Sequence, residues 1–254
     1  MTQRTQHMNV FIVYAHPEQR SFNAALHKAA KETITELGHD LVISDLYRME
    51  FEPVASNRDF LKEHKGKHPR FREEQEKAFN RGLLASDISE EQEKLKWCDL
   101  LILQFPLWWF SMPAILKGWI DRVLTPGFAY SQEKFYNHGG LRGKKAMVLL
   151  TTGGSQQRFS RFGLNGPIDV ILFPIHHGIL YYVGFEVLPP FVVWHPSRLS
   201  EKGRKDVLMN LSTYLSRFQT LKPLQFPLVE DSDANEELRG GLDWASILNL
   251  ASKE

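Results

Sequence analysis

Three short segments carry residue types from which a ligand site could be built. Residues 104–113 read Gln-Phe-Pro-Leu-Trp-Trp-Phe-Ser-Met-Pro and join an apolar run at 99–104 to a helical pattern at 114–124. Trp108, Trp109 and Phe110 are costly side chains to place on a loop. At the carboxyl end of a strand in an open α/β sheet, they would face the crevice where ligands bind. Flat rings and close backbone amides there suit a flat ligand with polar edges, such as a flavin ring. A second segment runs from His16 through Arg20, Ser21 and Phe22 to Asn23 and leads into a helix. A helix N-terminus offers free N–H groups and a positive dipole end to a phosphate, with Ser21 to donate a hydroxyl and His16 or Arg20 a charge. The third is Thr151-Thr152-Gly153-Gly154-Ser155, whose paired glycines let the backbone approach a ligand closely. Each segment alone reads equally well as a cap, a packing loop or a plain turn. Their convergence on one edge is what makes a site.

Those segments need elements to hold them. Residues 10–15 form a short, β-branched apolar run and read as a strand buried on both faces. Residues 22–37 place Phe22, Leu26, Ala30 and Thr33 on one helical face, and Gly38 closes the helix. Further strands are expected at 41–46, 99–104 and 146–151, and a fifth within 181–193 that Gly184 or Pro189-Pro190 would break. Helices are expected at about 73–82, at 90–96 from a Ser89-to-Gln92 capping box, at 114–124 behind Pro113, within 167–177 and at about 200–221. Residues 50–88 have weak periodicity. Alternating strands and helices predict parallel βαβ units with right-handed crossovers. The expected class is α/β: a flavodoxin-like three-layer sandwich around a parallel five-stranded sheet of order 2-1-3-4-5. Residues 1–221 would form this domain, and 222–254 a short extension packing on the domain or on a partner chain.

With 31 basic and 30 acidic residues among 254, the chain lacks the charge of a nucleic-acid binder. The basic stretch 62–72 is interleaved with His and Glu and reads as solvated surface. A single cysteine, Cys98, allows no internal disulfide and fits a reducing cytoplasm. It adjoins a strand and reads as a small core residue. The polar start of the chain has no apolar signal region, and no run reaches the ~20 apolar residues of a membrane span. No metal is expected: His176 and His177 are adjacent, and His64 and His68 have no evident carboxylate or thiol partner. No Gly-x-Ser-x-Gly elbow, Walker loop or Gly-x-Gly-x-x-Gly is present.

The segment 104–123 closely resembles the flavin loop and following helix of the NAD(P)H:quinone oxidoreductases of the DT-diaphorase type. Ala15-His16, Ser21-Phe22-Asn23, residues 127–130, 151–155 and 169–180 match the same family in order. The resemblance spans about residues 9–221 and is weakest at 53–88. It implies a homodimer with FAD bound noncovalently, FMN being the lesser alternative. By position, His16, Ser21, Phe22 and Asn23 would hold the phosphates and ribityl chain. Pro106, Leu107, Trp108, Trp109 and Phe110 would frame the ring, with Thr151, Thr152, Gly153 and Gly154 at its opposite edge. Arg204 would serve the adenosine end, as would the extra length of 50–88. Tyr130, Ser131 and Tyr182, with Trp109, would cover the substrate, Tyr130 and Ser131 reaching the partner's site. The implied chemistry is ping-pong: NAD(P)H gives a hydride to the flavin, and a small quinone-like acceptor then takes two electrons.

The chain also departs from that family's pattern. A Tyr and a His that follow its Thr-Thr-Gly-Gly-Ser are here Phe159 and Asn165. Phe has no hydroxyl, and Asn cannot carry a proton. His176 and His177 are candidate replacements for the lost donor. Gln132 stands where a second substrate-side tyrosine is expected, and Trp108 where many members have Gln. These changes keep open a second reading, a flavin-binding regulatory or ancillary subunit with weak or no quinone reductase activity.

Overall fold

A computed structural model describes residues 6–61 and 70–248. The central strands alternate which side of the sheet they serve. Phe11, Val13, Leu101, Leu103, Phe105, Val148 and Leu150 pack on one face. Val10, Ile12, Tyr14, Leu100, Ile102, Met147 and Leu149 pack on the other. Both faces being apolar, helices must cover both, which is the condition for a parallel sheet.

Strand β1 (Asn9–Tyr14) is followed by α1 (Phe22–Glu36), β2 (Asp40–Asp45), α2 (Phe71–Arg81), α3 (Ser86–Trp97), β3 (Leu100–Pro106), α4 (Ala114–Val123) and β4 (Lys145–Thr152). Helix α5 (Ile168–Ile175) contains Pro174 and widens into a π-helical segment, His176–Tyr181. A proline in a helix interior removes one i→i−4 bond, consistent with the wider turns that follow. Next come β5 (Glu186–Val187), β6 (Phe191–Trp194), α6 (Glu201–Leu215) and the short α7 (Trp244–Ile247). The order is β2-β1-β3-β4-β5, with β6 also pairing β4, and all pairs are parallel. The fifth position of the expected sheet is therefore filled in two pieces. Leu188 still donates to Ala146 O (2.8 Å). Pro189 and Pro190 have no N–H to offer, and pairing resumes at Phe191 opposite Leu149.

Helices α1 and α6 cover one face through Leu26, Ala30, Ile34, Leu211 and Leu215. Helices α3, α4 and α5 cover the other through Leu95, Leu116, Trp119, Leu172 and Ile175. Several helix limits differ from expectation. Helix α3 starts at Ser86 rather than Glu90; Ser89 caps nothing and instead donates its hydroxyl to Ala85 O (3.2 Å). Helix α6 stops at Leu215, before a separate turn at Phe218–Thr220.

The weakly periodic residues 50–88 are held from outside. Buried Arg122 on α4 donates to Asp59 (3.0 Å), Asp87 (2.6 Å) and Glu52 O (2.8 Å). Gly118 lets Pro53 lie on α4, because a Cβ there would fall 2.1 Å from Pro53 O. Phe60, Ala78, Leu84 and Ile88 form a small satellite core beneath this segment. Cys98 is buried, and burial pushes its thiol up to about 12, so it is packing and not a nucleophile. His64, His68 and most of the basic stretch 62–72 lie outside the described residues. So do the first five residues and the end of the C-terminal extension.

Candidate active site

The loops after β1, β3 and β4 open at the same end of the sheet. After β1, Ser21 caps α1: its Oγ accepts from Ala24 N–H (3.1 Å) and lies 3.1 Å from His16 Nδ1. The same Nδ1 lies 3.1 Å from Glu18 N and 3.2 Å from Glu18 O, so the Glu18 backbone offers a partner to either tautomer. Burial lowers the His16 pKa, which disfavours the cationic ring in the ligand-free protein. Arg20 is fully exposed and engaged with Glu18 (3.3 Å).

Asn23, one residue inside α1, is 4% exposed. Its Nδ2 donates to Thr151 Oγ1 (2.7 Å), and its main-chain carbonyl accepts from Gln104 Nε2 (2.9 Å). Asn23 thus ties the start of α1 to the ends of β3 and β4. Its Oδ1 is buried and has no hydrogen-bond partner. A stranded acceptor of this kind costs about 1–3 kcal/mol unless a ligand or water donates to it.

After β3, Leu107 N–H extends the ladder to Thr151 O (2.8 Å). Trp108 and Ser111 then exchange two backbone bonds (3.0 and 2.9 Å) around Trp109 and Phe110, at φ 51° and 59°. Two consecutive left-handed residues make a type I′ turn, a geometry normally filled by Asn and Gly. Bulky residues there store about 1–2 kcal/mol each. Trp109 is 95% exposed and Phe110 52%. After β4, Gly154 N–H donates to Thr152 Oγ1 (2.9 Å), which fixes the Gly153-Gly154 turn. Phe159 is buried against Gly154, where a Cβ would come 2.6 Å from its ring. Its ring lies between Phe110 (6.3 Å between centroids) and Trp194 (5.7 Å).

A cleft of about 470 Å³ lies between these loops. From the first loop it is lined by His16, Ser21, Phe22 and Asn23; from the second by Pro106, Leu107 and Trp108; from the third by Thr151, Thr152 and Gly153. Arg204 of α6 lines it as well and is its cationic side chain. Trp109, Phe110 and Gly154 are not among its lining residues. No described residue of 50–88 lines it either, so within one chain that segment does not serve the cleft. Pro196 and Ser197 do, and sequence reading did not find them. They follow His195, which is left-handed at φ 45° and bonded to Thr152 O (2.9 Å). The His195-Pro196 pair after β6 was the available signal.

A sequence profile of the flavodoxin-like fold family matches residues 8–215. The chain is 42% identical to NAD(P)H dehydrogenase (quinone) 1 of Rattus norvegicus over 85% of its own length and 79% of that protein. The chain belongs to this flavodoxin-like quinone dehydrogenase family. It is 40% identical to the ribosyldihydronicotinamide dehydrogenase-like protein traD of Penicillium crustosum, across 97% of this chain and 96% of that one. A Klebsiella pneumoniae structure described as a candidate quinone reductase superposes with a TM-score of 0.90 at 40% identity, covering 94% of this chain and 98% of that one.

Within this quinone dehydrogenase fold, the remaining expected residues fall into two groups. Phe159 and Asn165 both sit at Gly154, beside the cleft rather than lining it. Tyr130 and Tyr182 meet each other (5.6 Å between rings) and line a separate cavity of about 270 Å³ next to α4. Ser131 lines a third cavity, with Arg72 and Glu76. His176 and His177 do not line the cleft within this chain. Both are buried, and burial brings each down to about 4, so they are neutral at pH 7. His176 lines another cavity, under the C-terminal segment. No cluster of metal-ligating side chains occurs among the described residues. No described helix is long and apolar enough to cross a membrane.

Proposed function

We propose that this chain is an FAD-dependent NAD(P)H:quinone oxidoreductase acting by a ping-pong sequence, as a cytoplasmic homodimer. The observation that carries the reading is the buried, unpartnered Asn23 Oδ1 in the wall of a cleft made by three sheet-end loops. That atom fits a ligand hydroxyl, such as one on a ribityl chain. The chemistry that a bound flavin supplies is two-electron transfer, a hydride taken from NAD(P)H and two electrons delivered to the acceptor.

The chain's own groups have separable tasks. The α1 N-terminus, capped by Ser21, and the His16 ring would hold the phosphates. Leu107 and Trp108 would bound the ring on one side, and the open backbone at Gly153 would offer amides to its edge. Arg204 and Ser197 add a cation and a hydroxyl to the same cleft, which favours FAD over FMN because the adenosine half would use them. Phe159 and its aromatic neighbours keep water from the Gly154 side. Trp109 and Phe110 stand largely uncovered, and Tyr130 and Tyr182 line a different cavity of the same chain. A second copy that brings the tyrosines of one chain over the turn of the other accounts for both. The relatives' names support the quinone and the nicotinamide donor.

The test is the visible spectrum of purified protein reconstituted with FAD, titrated anaerobically with NADPH and NADH and then with a soluble quinone. Bleaching by the nicotinamide and recovery with quinone are expected. A bound flavin that neither nucleotide bleaches would favour the ancillary-subunit reading, to which Phe159 and Asn165 point. No bound flavin would overturn the site.

A further inference from the structure

The chain beyond residue 221 has no part in the cleft, yet it is attached to the tyrosine wall by one continuous path of contacts. Tyr136 lies at the centre of that path. It is left-handed at φ 49°, a strained state for an aromatic residue. Its N–H donates to Tyr182 O (2.8 Å), and its ring packs edge-on to the Tyr182 ring (5.2 Å between centroids). On its other side the ring leans on His177 (4.9 Å) and Tyr181 (5.5 Å). The C-terminal segment grips these same groups. Trp244 meets the His177 ring edge-on at 4.9 Å, and Phe226 does so at 5.2 Å. Tyr181 donates its hydroxyl to Pro227 O (2.8 Å). Asn137, next to Tyr136, accepts from Val229 N–H (2.9 Å) and donates to Glu230 (3.0 Å). Leu224 N–H donates to Val187 O (2.7 Å) and anchors the start of the segment to the sheet.

We infer that residues 222–248 are a strap that holds Tyr136 in its strained conformation, and that Tyr136 is thereby a positioning residue for Tyr182 and Tyr130, the acceptor-side wall. The inference rests on the proposed function for what the wall does, but not for how the wall is held. A left-handed aromatic residue persists only where its surroundings over-determine it. Here the strap acts through the neighbours of Tyr136: Phe226 and Trp244 pack on His177, and Val229 and Glu230 bond Asn137. Loosening the strap lets Tyr136 relax, and the Tyr182 carbonyl and ring lose their fixed partner. The acceptor wall shifts while the flavin-side cleft, built from other loops, does not.

Trp244→Ala and Tyr136→Gly test this, with Tyr136→Phe as the conservative control. Glycine accepts the left-handed backbone but removes the ring; Phe keeps the ring. The readouts are the FAD Kd by flavin fluorescence and the Kd of a soluble naphthoquinone for the oxidised, FAD-loaded protein, from perturbation of the flavin band. The naphthoquinone Kd should rise five- to twentyfold in Trp244→Ala and Tyr136→Gly and stay within twofold in Tyr136→Phe. The FAD Kd should stay within twofold throughout. An unchanged naphthoquinone Kd overturns the strap, and so does an FAD Kd that rises in parallel, because that is general loosening. If the unaltered protein binds FAD but no naphthoquinone, the acceptor reading is what fails. Amide hydrogen exchange at 178–184 then decides the strap, since faster exchange in Trp244→Ala supports it and unchanged exchange refutes it.

Discussion

Replacing Asn23 with Leu should separate folding from ligand binding. In the ligand-free protein Asn23 contributes one good bond, Nδ2 to Thr151 Oγ1 at 2.7 Å, and carries one liability, the buried Oδ1 with no partner. The bond is worth about 1 kcal/mol net, and the stranded acceptor costs about 1–3 kcal/mol. Leucine is of similar size and removes both, but it strands the buried Thr151 hydroxyl at a comparable cost of about 1–3 kcal/mol. The two terms offset, so apo stability should stay within about 2 kcal/mol of the starting protein. For a chain of this size, about 2–4 °C per kcal/mol keeps the apo Tm within about 8 °C. FAD affinity should fall. A ligand hydroxyl that loses its acceptor on burial costs about 1.5–3 kcal/mol, which weakens Kd about 10- to 150-fold. Thermal melts of apo protein and fluorescence titration with FAD measure the two quantities on one sample. A large fall in apo stability with unchanged FAD affinity would refute the reasoning, because Asn23 would then be a purely structural residue.

Three further outcomes follow from the same structure. Trp109→Gly removes left-handed strain and loses almost no packing, so urea unfolding of the apo protein should show a gain of up to about 1 kcal/mol after glycine's own entropy cost, while NADPH-driven bleaching of the FAD-loaded protein slows. His176 and His177 are held neutral near 4 while an unfolded His titrates near 6.5, so the unfolded chain binds more protons between those values. Stability should be full above about pH 6.5 and fall by a few kcal/mol as pH drops to about 4, and His176→Gln should flatten that slope in urea midpoints taken across the range. Restoring both hydrogen-bonding groups in Phe159→Tyr with Asn165→His should speed anaerobic flavin reduction by on the order of 10², the usual worth of one preorganised donor; stopped-flow rates equal to those of the starting protein would show that these positions do not limit the step.

The sheet was legible because its determinants are local. Val10 to Tyr14, Leu100 to Leu103 and Met147 to Leu150 are unbroken apolar runs, and such runs with intervening helices admit few topologies. The loops that line the cleft could be read for the same reason, since each starts where a run ends. Residues 50–88 could not, because their order comes from Arg122, tens of positions away, and from the missing side chain of Gly118. The helix around Ser89 was misplaced by a pattern that fits a capping box but sits one turn inside α3, where buried Ile88 already faces the satellite core. The backbone of Trp109 and Phe110 was hidden by their side chains, since nothing in a Trp-Phe pair signals a turn that Asn-Gly would fill. The part played by Pro196 and Ser197 was hidden because the fifth strand was located only loosely.

The break at Pro189-Pro190 has a consequence beyond the cleft. An outermost strand ordinarily presents a row of open donors and acceptors that another chain can pair with, and long, flat edges of that kind seed aggregation. Here that border is cut into pieces of two and four residues, with two positions that have no N–H between them. The prolines that turn the chain back toward His195 also leave the sheet a margin that a neighbouring molecule cannot extend.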